Sequence, residues 1–168
     1  MASTNSGLSI SLRPESQGDE PFLFTLFVST RDEFLFLDEA QRDAILRMQF
    51  EAQKRHYTAN LPGARKDIVL LDEKPIGKLT TVWTEQEIRL ADIALLPEYR
   101  DMGIGSKLIM AVLAEADKDV LSVRLHVRRQ SRAMRLYRRF GFSEKETNEI
   151  FCMMERPPGT FREIKDYR

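Results

Sequence analysis

The stretch Leu95-Leu96-Pro97-Glu98-Tyr99-Arg100-Asp101-Met102-Gly103-Ile104-Gly105-Ser106-Lys107-Leu108-Ile109 decides how this chain is read. It follows an apolar strand, Asp92-Ile93-Ala94-Leu95, and runs into an amphipathic helix through a loop punctuated by two glycines. A helix start leaves its first N–H groups without intrahelical partners and carries the positive end of the helix dipole, while glycines let the main chain approach an anion closely. Gly103 and Gly105 supply that access, and Arg100 and Lys107 add positive charge, so the loop is suited to a pyrophosphate. A Walker loop is excluded because no Gly-Lys-Ser/Thr stands at the required spacing. The dinucleotide fingerprint is excluded because Leu108 occupies its third glycine position and no acidic residue follows a second strand at the right distance. A plain strand-to-helix turn carrying a glycine pair would share the remaining pattern, Arg-x-x-Gly-x-Gly.

A second stretch lies about thirty residues on, Ser131-Arg132-Ala133-Met134-Arg135-Leu136-Tyr137-Arg138-Arg139-Phe140-Gly141-Phe142. Ala133, Leu136, Tyr137 and Phe140 follow helical i, i+3, i+4, i+7 spacing, so Tyr137 read alone is the apolar edge of a helix. Together the two stretches resemble two motifs of the GNAT superfamily of N-acetyltransferases: its acetyl-CoA loop, at Arg100, Gly103 and Gly105, and its Ala-x-x-Leu-Tyr-x-x-x-Gly-Phe helix.

The resemblance implies a role for each matching position. Acetyl-CoA is the implied co-substrate. The main chain of Ala94 and Leu95 would pair with the pantetheine arm like an added strand. Main-chain N–H groups of Asp101, Met102, Gly103, Ile104, Gly105, Ser106 and Lys107 would hold the pyrophosphate. Gln130 stands where the family often has an asparagine that contacts the coenzyme. Tyr137 matches the tyrosine that returns a proton to the departing thiolate. A phenol suits that task, since its ordinary pKa of about 10 is not far above a thiol's value near 8.5.

Acetyl transfer also needs a neutral amine. A lysine-like amine with pKa about 10.4 costs about 4 to 5 kcal/mol to deprotonate at neutral pH. Glu87 and Asp92, on the strand before the loop, are the carboxylates nearest to hand, acting directly or through water. Strand alternation puts them on opposite faces unless a bulge intervenes, so a regular strand brings at most one to the site. Both could equally be solvent-side residues. Acidic Asp32, Glu33, Asp38 and Glu39, with Phe34 and Phe36 among them, fall where the family's substrate-covering segment would lie and would favour a cationic amine; a solvated helix junction explains them too.

Between Leu121 and Phe140 stand Arg124, Arg128, Arg129, Arg132, Arg135, Arg138 and Arg139, with no acid among them. Such a cluster can bind nucleic acid or form a solvated helix face. Some of these arginines meeting the coenzyme's ribose 3′-phosphate is the reading preferred here, because the aromatic neighbours Tyr137 and Phe140 are better placed in a core. The expected partner is thus a small-molecule or peptide amine, with neither nucleic acid nor membrane, and a homodimer is open. A catalytically silent acyl-CoA-binding sensor or partner-binding module would have the same loop and is the alternative to an enzyme.

Composition bounds the rest. A chain of 168 residues with 26 basic and 26 acidic side chains is one ordinary domain without a global pull toward polyanions. The single cysteine, Cys152, excludes an internal disulfide and reads as a buried strand residue. His56 and His126 do not form a metal-ligand pattern. Met1 to Gly7 is small and polar, is expected to be disordered, and lacks a signal peptide's basic start and apolar run. The apolar run Phe22 to Val28 is too short to span a bilayer, so a cytoplasmic protein is expected.

Periodicity predicts the element order β-α-α-β-β-β-α-β-α-β-β. The strands are Leu8–Arg13, Asp67–Leu71, Ile76–Trp83, Glu87–Leu95, Ser122–Val127, Ser143–Glu146 and Glu149–Glu155. The first helix opens at Asp19-Glu20-Pro21 and turns Phe22, Leu23, Leu26 and Phe27 inward. The second is capped by Asp38, with Gln41 in the reciprocal position and Ile45, Met48 and Ala52 as its apolar face. Leu108, Ile109, Val112, Leu113 and Ala116 form the stripe of the third, and Gly141 ends the fourth. The expected architecture is mixed α/β (α+β), a mostly antiparallel central sheet flanked by helices, in a single domain over residues 1–168 with a polar tail from Pro157. It resembles the GNAT acyl-CoA N-acyltransferase fold.

Overall fold

The structure is a computed structural model that describes residues 9–159 apart from 32, 33 and 35. The expectations for the first seven residues, for Asp32 and Glu33, and for the tail beyond Gly159 lie outside the described residues. Eleven principal elements follow in the expected order. They are β1 (Ile10–Pro14), α1 (Glu20–Val28), α2 (Glu39–Asn60), β2 (Arg65–Leu71), β3 (Lys74–Trp83), β4 (Glu87–Leu95), α3 (Ile104–Lys118), β5 (Ser122–Arg128), α4 (Ala133–Arg139), β6 (Ser143–Thr147) and β7 (Phe151–Arg156). The strands form one mixed sheet in the order β1-β2-β3-β4-β5-β7-β6. Its β4–β5 pair is parallel, and the β1–β2, β5–β7 and β6–β7 pairs are antiparallel. The chain resolves into two compact units, Met1–Leu79 with Ile93–Asp101, and Thr80–Asp92 with Met102–Arg168.

In the first unit, β1 lies antiparallel on β2 from Ile10↔Leu71 to Pro14↔Asp67. Asp19, just before α1, is buried and takes Arg13 in two hydrogen bonds at 2.6 and 2.8 Å, with Ser16 donating twice more. The Arg13 guanidinium holds the Asp19 carboxyl well below its ordinary range, tying α1 to the end of β1. Asp38 caps α2 by accepting from the Gln41 amide at 3.0 Å. The inward face of α2 differs from expectation. Leu46 and Phe50 are buried and Ile45 half-buried, whereas Met48 is 64% exposed and Ala52 is exposed too. The phase is set by Phe50, whose ring meets Phe24 and Phe27 edge-on at 5.4 Å each. Burying that large ring outweighs burying a methionine on another arc of the helix.

In the second unit, α3 buries Ile104, Leu108, Ile109, Val112, Leu113 and Ala116 along one stripe, as the spacing predicts. Val123, Leu125 and Val127 of β5 are buried, and Cys152 and Met154 of β7 are buried beside them in the ladder Leu125↔Met154, Val127↔Cys152. β7 begins two residues later than expected. Asn148 accepts from the amides of Ile150 and Phe151 at 2.9 and 2.7 Å, which turns Glu149 and Ile150 into a loop. At the other end of β7, fully buried Arg156 forks onto Asp117 of α3 at 2.8 and 3.0 Å. Those bonds hold the Asp117 carboxyl below its ordinary value.

Candidate functional site

The glycine loop enters α3 at Gly103, which is the N-cap residue with φ +76° and has no side chain to cap the helix. The first return bond there is Lys107 N–H to the Gly103 carbonyl at 3.1 Å, so the amides of Ile104, Gly105 and Ser106 point out of the helix end without intrahelical acceptors. A Cβ on Gly103 or Gly105 would meet nothing within 4 Å. The two glycines differ in purpose. Gly103 provides a left-handed turn, while Gly105 is helical and leaves space above the amides open. Ile104 is buried and anchors the helix start, so only its main chain can take part; Met102 and Lys107 are exposed and Ser106 half-buried. Asp101, the preceding residue, is also left-handed at φ +60°.

In the first unit, the end of β4 is fixed by two close approaches to β3. Leu96 N–H donates to the Ile76 carbonyl at 2.9 Å, and the Ala94 carbonyl lies where a Cβ on Gly77 would come within 2.3 Å of it. Main-chain groups alternate sides along a strand, so Ala94 and Leu96 face β3 and Leu95 turns the other way. The Leu95 carbonyl accepts from Arg100 Nε at 2.9 Å, and the same guanidinium reaches the Ser29 carbonyl at the end of α1 at 3.2 Å. Arg100 was expected to lend charge to the loop. Its side chain instead clamps two main-chain carbonyls, which are strong acceptors at a strand end and a helix C-terminus. Gly77 was not identified in the sequence as part of this arrangement. A glycine inside a strand is itself the signal of close main-chain approach.

The second unit carries the titratable groups. The β4–β5 ladder covers Glu87–Leu90 against Ser122–Leu125 and goes no further, although β4 runs on to Leu95 and β5 to Arg128. Glu87 is held by Arg124 at 2.9 Å and by Arg89 at 3.5 Å, and Arg124 also binds Glu155. Asp92, further along β4, has a partner of its own, and its charge is also felt at Tyr137. The Tyr137 ring packs edge-on against Phe142 at 5.6 Å, made possible by Gly141, whose φ of +87° turns the chain back. Burial raises the Tyr137 phenol above its ordinary value, and the negative charge of Asp92 raises it further. The hydroxyl hydrogen-bonds no protein group among the described residues, so it is protonated at neutral pH and available as a donor.

Gln130 is exposed at the carboxyl end of β5, in a pocket of about 490 Å³ lined with Arg128, Arg129, Glu149 and Ile150. Of the seven clustered arginines, Arg124 and Arg138 are ion-paired, the latter with Glu144. His56 and His126 are exposed and Cys152 is buried. Among the described residues no group of His, Cys, Asp or Glu could hold a metal ion, and no helix is long and apolar enough to cross a membrane.

Comparison with known proteins gives a match to an acetyltransferase (GNAT) domain over residues 64–144. That segment holds β4, the glycine loop, α3, β5 and the Tyr137 helix. Among solved structures, the chain is similar to the paia N-acetyltransferase of Thermoplasma acidophilum in complex with coenzyme A. The identity is 24% and the TM-score 0.66, over 89% of this chain and 99% of that one. It is similar to a GNAT family acetyltransferase of Elizabethkingia anophelis with acetyl-CoA bound, at 15% identity and TM-score 0.61, over 88% of this chain and 97% of that one. It is also similar to the ribosomal-protein-S18-alanine N-acetyltransferase of Escherichia coli, at 19% identity and TM-score 0.63, over 95% of this chain and all of that one. Residues 64–144 thus match an acetyltransferase (GNAT) domain, and over nearly the whole chain the fold is that of these solved acetyltransferase structures.

Proposed function

We propose that the protein transfers the acetyl group of acetyl-CoA to a primary amine by direct attack, with Tyr137 as general acid. The observation that carries this reading is the uncapped start of α3, with open space over Gly103 and Gly105 and outward-pointing amides of Ile104, Gly105 and Ser106. A diphosphate is the natural occupant of such a helix start. The binding of coenzyme A and of acetyl-CoA by structural relatives supports the same choice.

The main chain from Asp101 to Lys107 would hold the diphosphate, and Gln130 would add a side-chain contact. For the pantetheine arm, Leu95 is preferred to Ala94, because the Ala94 carbonyl is directed at Gly77. In the reaction, the amine nitrogen attacks the thioester carbonyl carbon, the C–S bond breaks, and the Tyr137 hydroxyl gives its proton to the leaving sulfur. The amine's surplus proton goes to Asp92, whose charge is felt at Tyr137, directly or through water. A phenol above pKa 10 gives its proton to a free thiolate of pKa near 8.5 only uphill, by about 2 kcal/mol or more. Transfer therefore accompanies C–S cleavage. Tyr137→Phe is expected to lower kcat by roughly 10²- to 10⁴-fold while acetyl-CoA binding is kept, measured by thiol release and calorimetry. An unchanged kcat would remove Tyr137 from the mechanism. Tight coenzyme binding by the wild type with no turnover of any amine would favour a silent sensor.

A further inference from the structure

Apart from Gln130, given above to the coenzyme, the pocket at the carboxyl end of β5 is not accounted for by the site already described. Arg128 ends the strand, Arg129 and Gln130 follow in the turn, and Glu149 and Ile150 of the β6–β7 turn close the other side. The two walls are tied together by Arg129 N–H donating to the Ile150 carbonyl at 3.1 Å, and the turn is held by the Asn148 side chain, so the cavity is a built feature of the main chain. Its lining carries two guanidiniums against one carboxylate. Glu144, whose carboxyl is drawn down chiefly by Arg138, also feels Arg129. Arg128 has no acidic partner among the described residues, and neither do Arg132, Arg135 and Arg139, which follow on and around α4. This local excess stands in a chain of zero formal net charge, so it is a placed field and not a property of the whole surface. An exposed apolar rim adjoins it, with Ile150 60% and Phe151 40% exposed.

The pocket also lies at a strand end suited to a ligand. Ligands of sheets with parallel strands gather at the strands' carboxyl ends, and this is the carboxyl end of β5, the parallel partner of β4. Gln130 ends the lining three residues before α4 begins at Ala133, and Tyr137 stands about 6 Å along that helix from its start.

Resting on the acetyltransfer reading above, we propose that this pocket binds an anionic group, a carboxylate or phosphate, carried by the amine acceptor. The substrate class is then an amine bearing an acid and an apolar portion, such as an amino acid or an acidic peptide N-terminus, and not a polycation. Planar guanidiniums pair with either oxyanion in a two-point fork, and the Ile150 rim takes the apolar part. The same anion chemistry could come from the coenzyme's ribose 3′-phosphate, and the test separates the two sources.

The test uses the full chain and two matched amines that differ only by a carboxylate, L-phenylalanine and 2-phenylethylamine, compared at equal concentration of free base. Spermidine serves as the polycation. Wild type is expected to favour L-phenylalanine over 2-phenylethylamine by at least about 10-fold in kcat/KM, roughly what one charged hydrogen-bonded contact gives. The double variant Arg128→Glu, Arg129→Glu is expected to abolish that preference through KM and to improve spermidine, with acetyl-CoA affinity by calorimetry unchanged. That last control keeps a failed coenzyme site distinguishable from a wrong acceptor class. Wild-type turnover restricted to spermidine or 2-phenylethylamine, or to no amine at all, would overturn the proposal. A variant whose only defect is with acetyl-CoA and absent with its 3′-dephospho form would overturn it too, assigning the pocket to the coenzyme.

Discussion

At the residue scale, the field of Asp92 at Tyr137 makes a prediction of known sign. Burial and the Asp92 carboxylate both disfavour the phenolate, so Tyr137 keeps its proton to higher pH than a free tyrosine. The basic limb of kcat that reports loss of this proton should therefore lie above pH 10. Asp92→Asn removes the negative charge, leaves the burial, and should move the Tyr137 ionisation down. Phenolate absorbance in a pH titration, taken as the difference between each protein and its Tyr137→Phe counterpart, measures the shift. An unmoved ionisation would mean that Asp92 exerts no field on the phenol. The helix that carries Tyr137 was legible in the sequence because Leu136, Tyr137 and Gly141 have fixed spacing in a known motif. The ion pair of Glu87 was not, because it depends on Arg124, a residue of β5 that comes alongside β4 only on folding.

At the scale of elements, the end of β4 depends on a glycine in its neighbour. A methyl group at position 77 would sit 2.3 Å from the Ala94 carbonyl oxygen and 2.6 Å from a Leu95 methyl, and the first of these is main chain that cannot step aside cheaply. Gly77→Ala is expected to cost about 1 to 3 kcal/mol, read as a lower midpoint in urea. It should also weaken acetyl-CoA binding by displacing Leu95. Stability and binding equal to wild type would show that the strands are not held so closely. The elements themselves were readable almost to the residue where periodicity was strong, as in the α3 stripe and the alternation of β5. α2 was not, because Met48 and Ala52 fit a helical face as well as Leu46 and Phe50 do. Only the rings of Phe24 and Phe27 on α1 decide between the two faces. The carbonyl partners of Arg100 at Leu95 and Ser29 were hidden for a related reason, since they cannot be seen from the loop motif.

At the scale of the whole molecule, the ion pair between Arg156 and Asp117 ties the last strand to α3. Arg156 is fully buried, so Asp117→Ala removes the carboxylate onto which its guanidinium forks, at an expected cost of about 3 to 5 kcal/mol. A fall of roughly 6 to 20 °C in Tm by calorimetry follows for a chain of this size. The pair also has a pH dependence. The Asp117 carboxyl is lowered in the fold, so its contribution is complete above the unfolded value near 3.9 and is lost as pH falls through the lower folded value. The stability gap between wild type and variant should accordingly narrow below about pH 4. A gap constant down to pH 2 would contradict the assignment.

The direct test of the central claim is calorimetric titration of acetyl-CoA into the folded protein and into Gly103→Asp. The wild type is expected to bind one equivalent. The variant, with a carboxylate at the open helix start and a strained left-handed residue, is expected to lose measurable binding while circular dichroism shows the fold intact. No heat from the wild type, or equal binding by the two proteins, would contradict the claim that the uncapped amides of α3 hold the coenzyme's diphosphate.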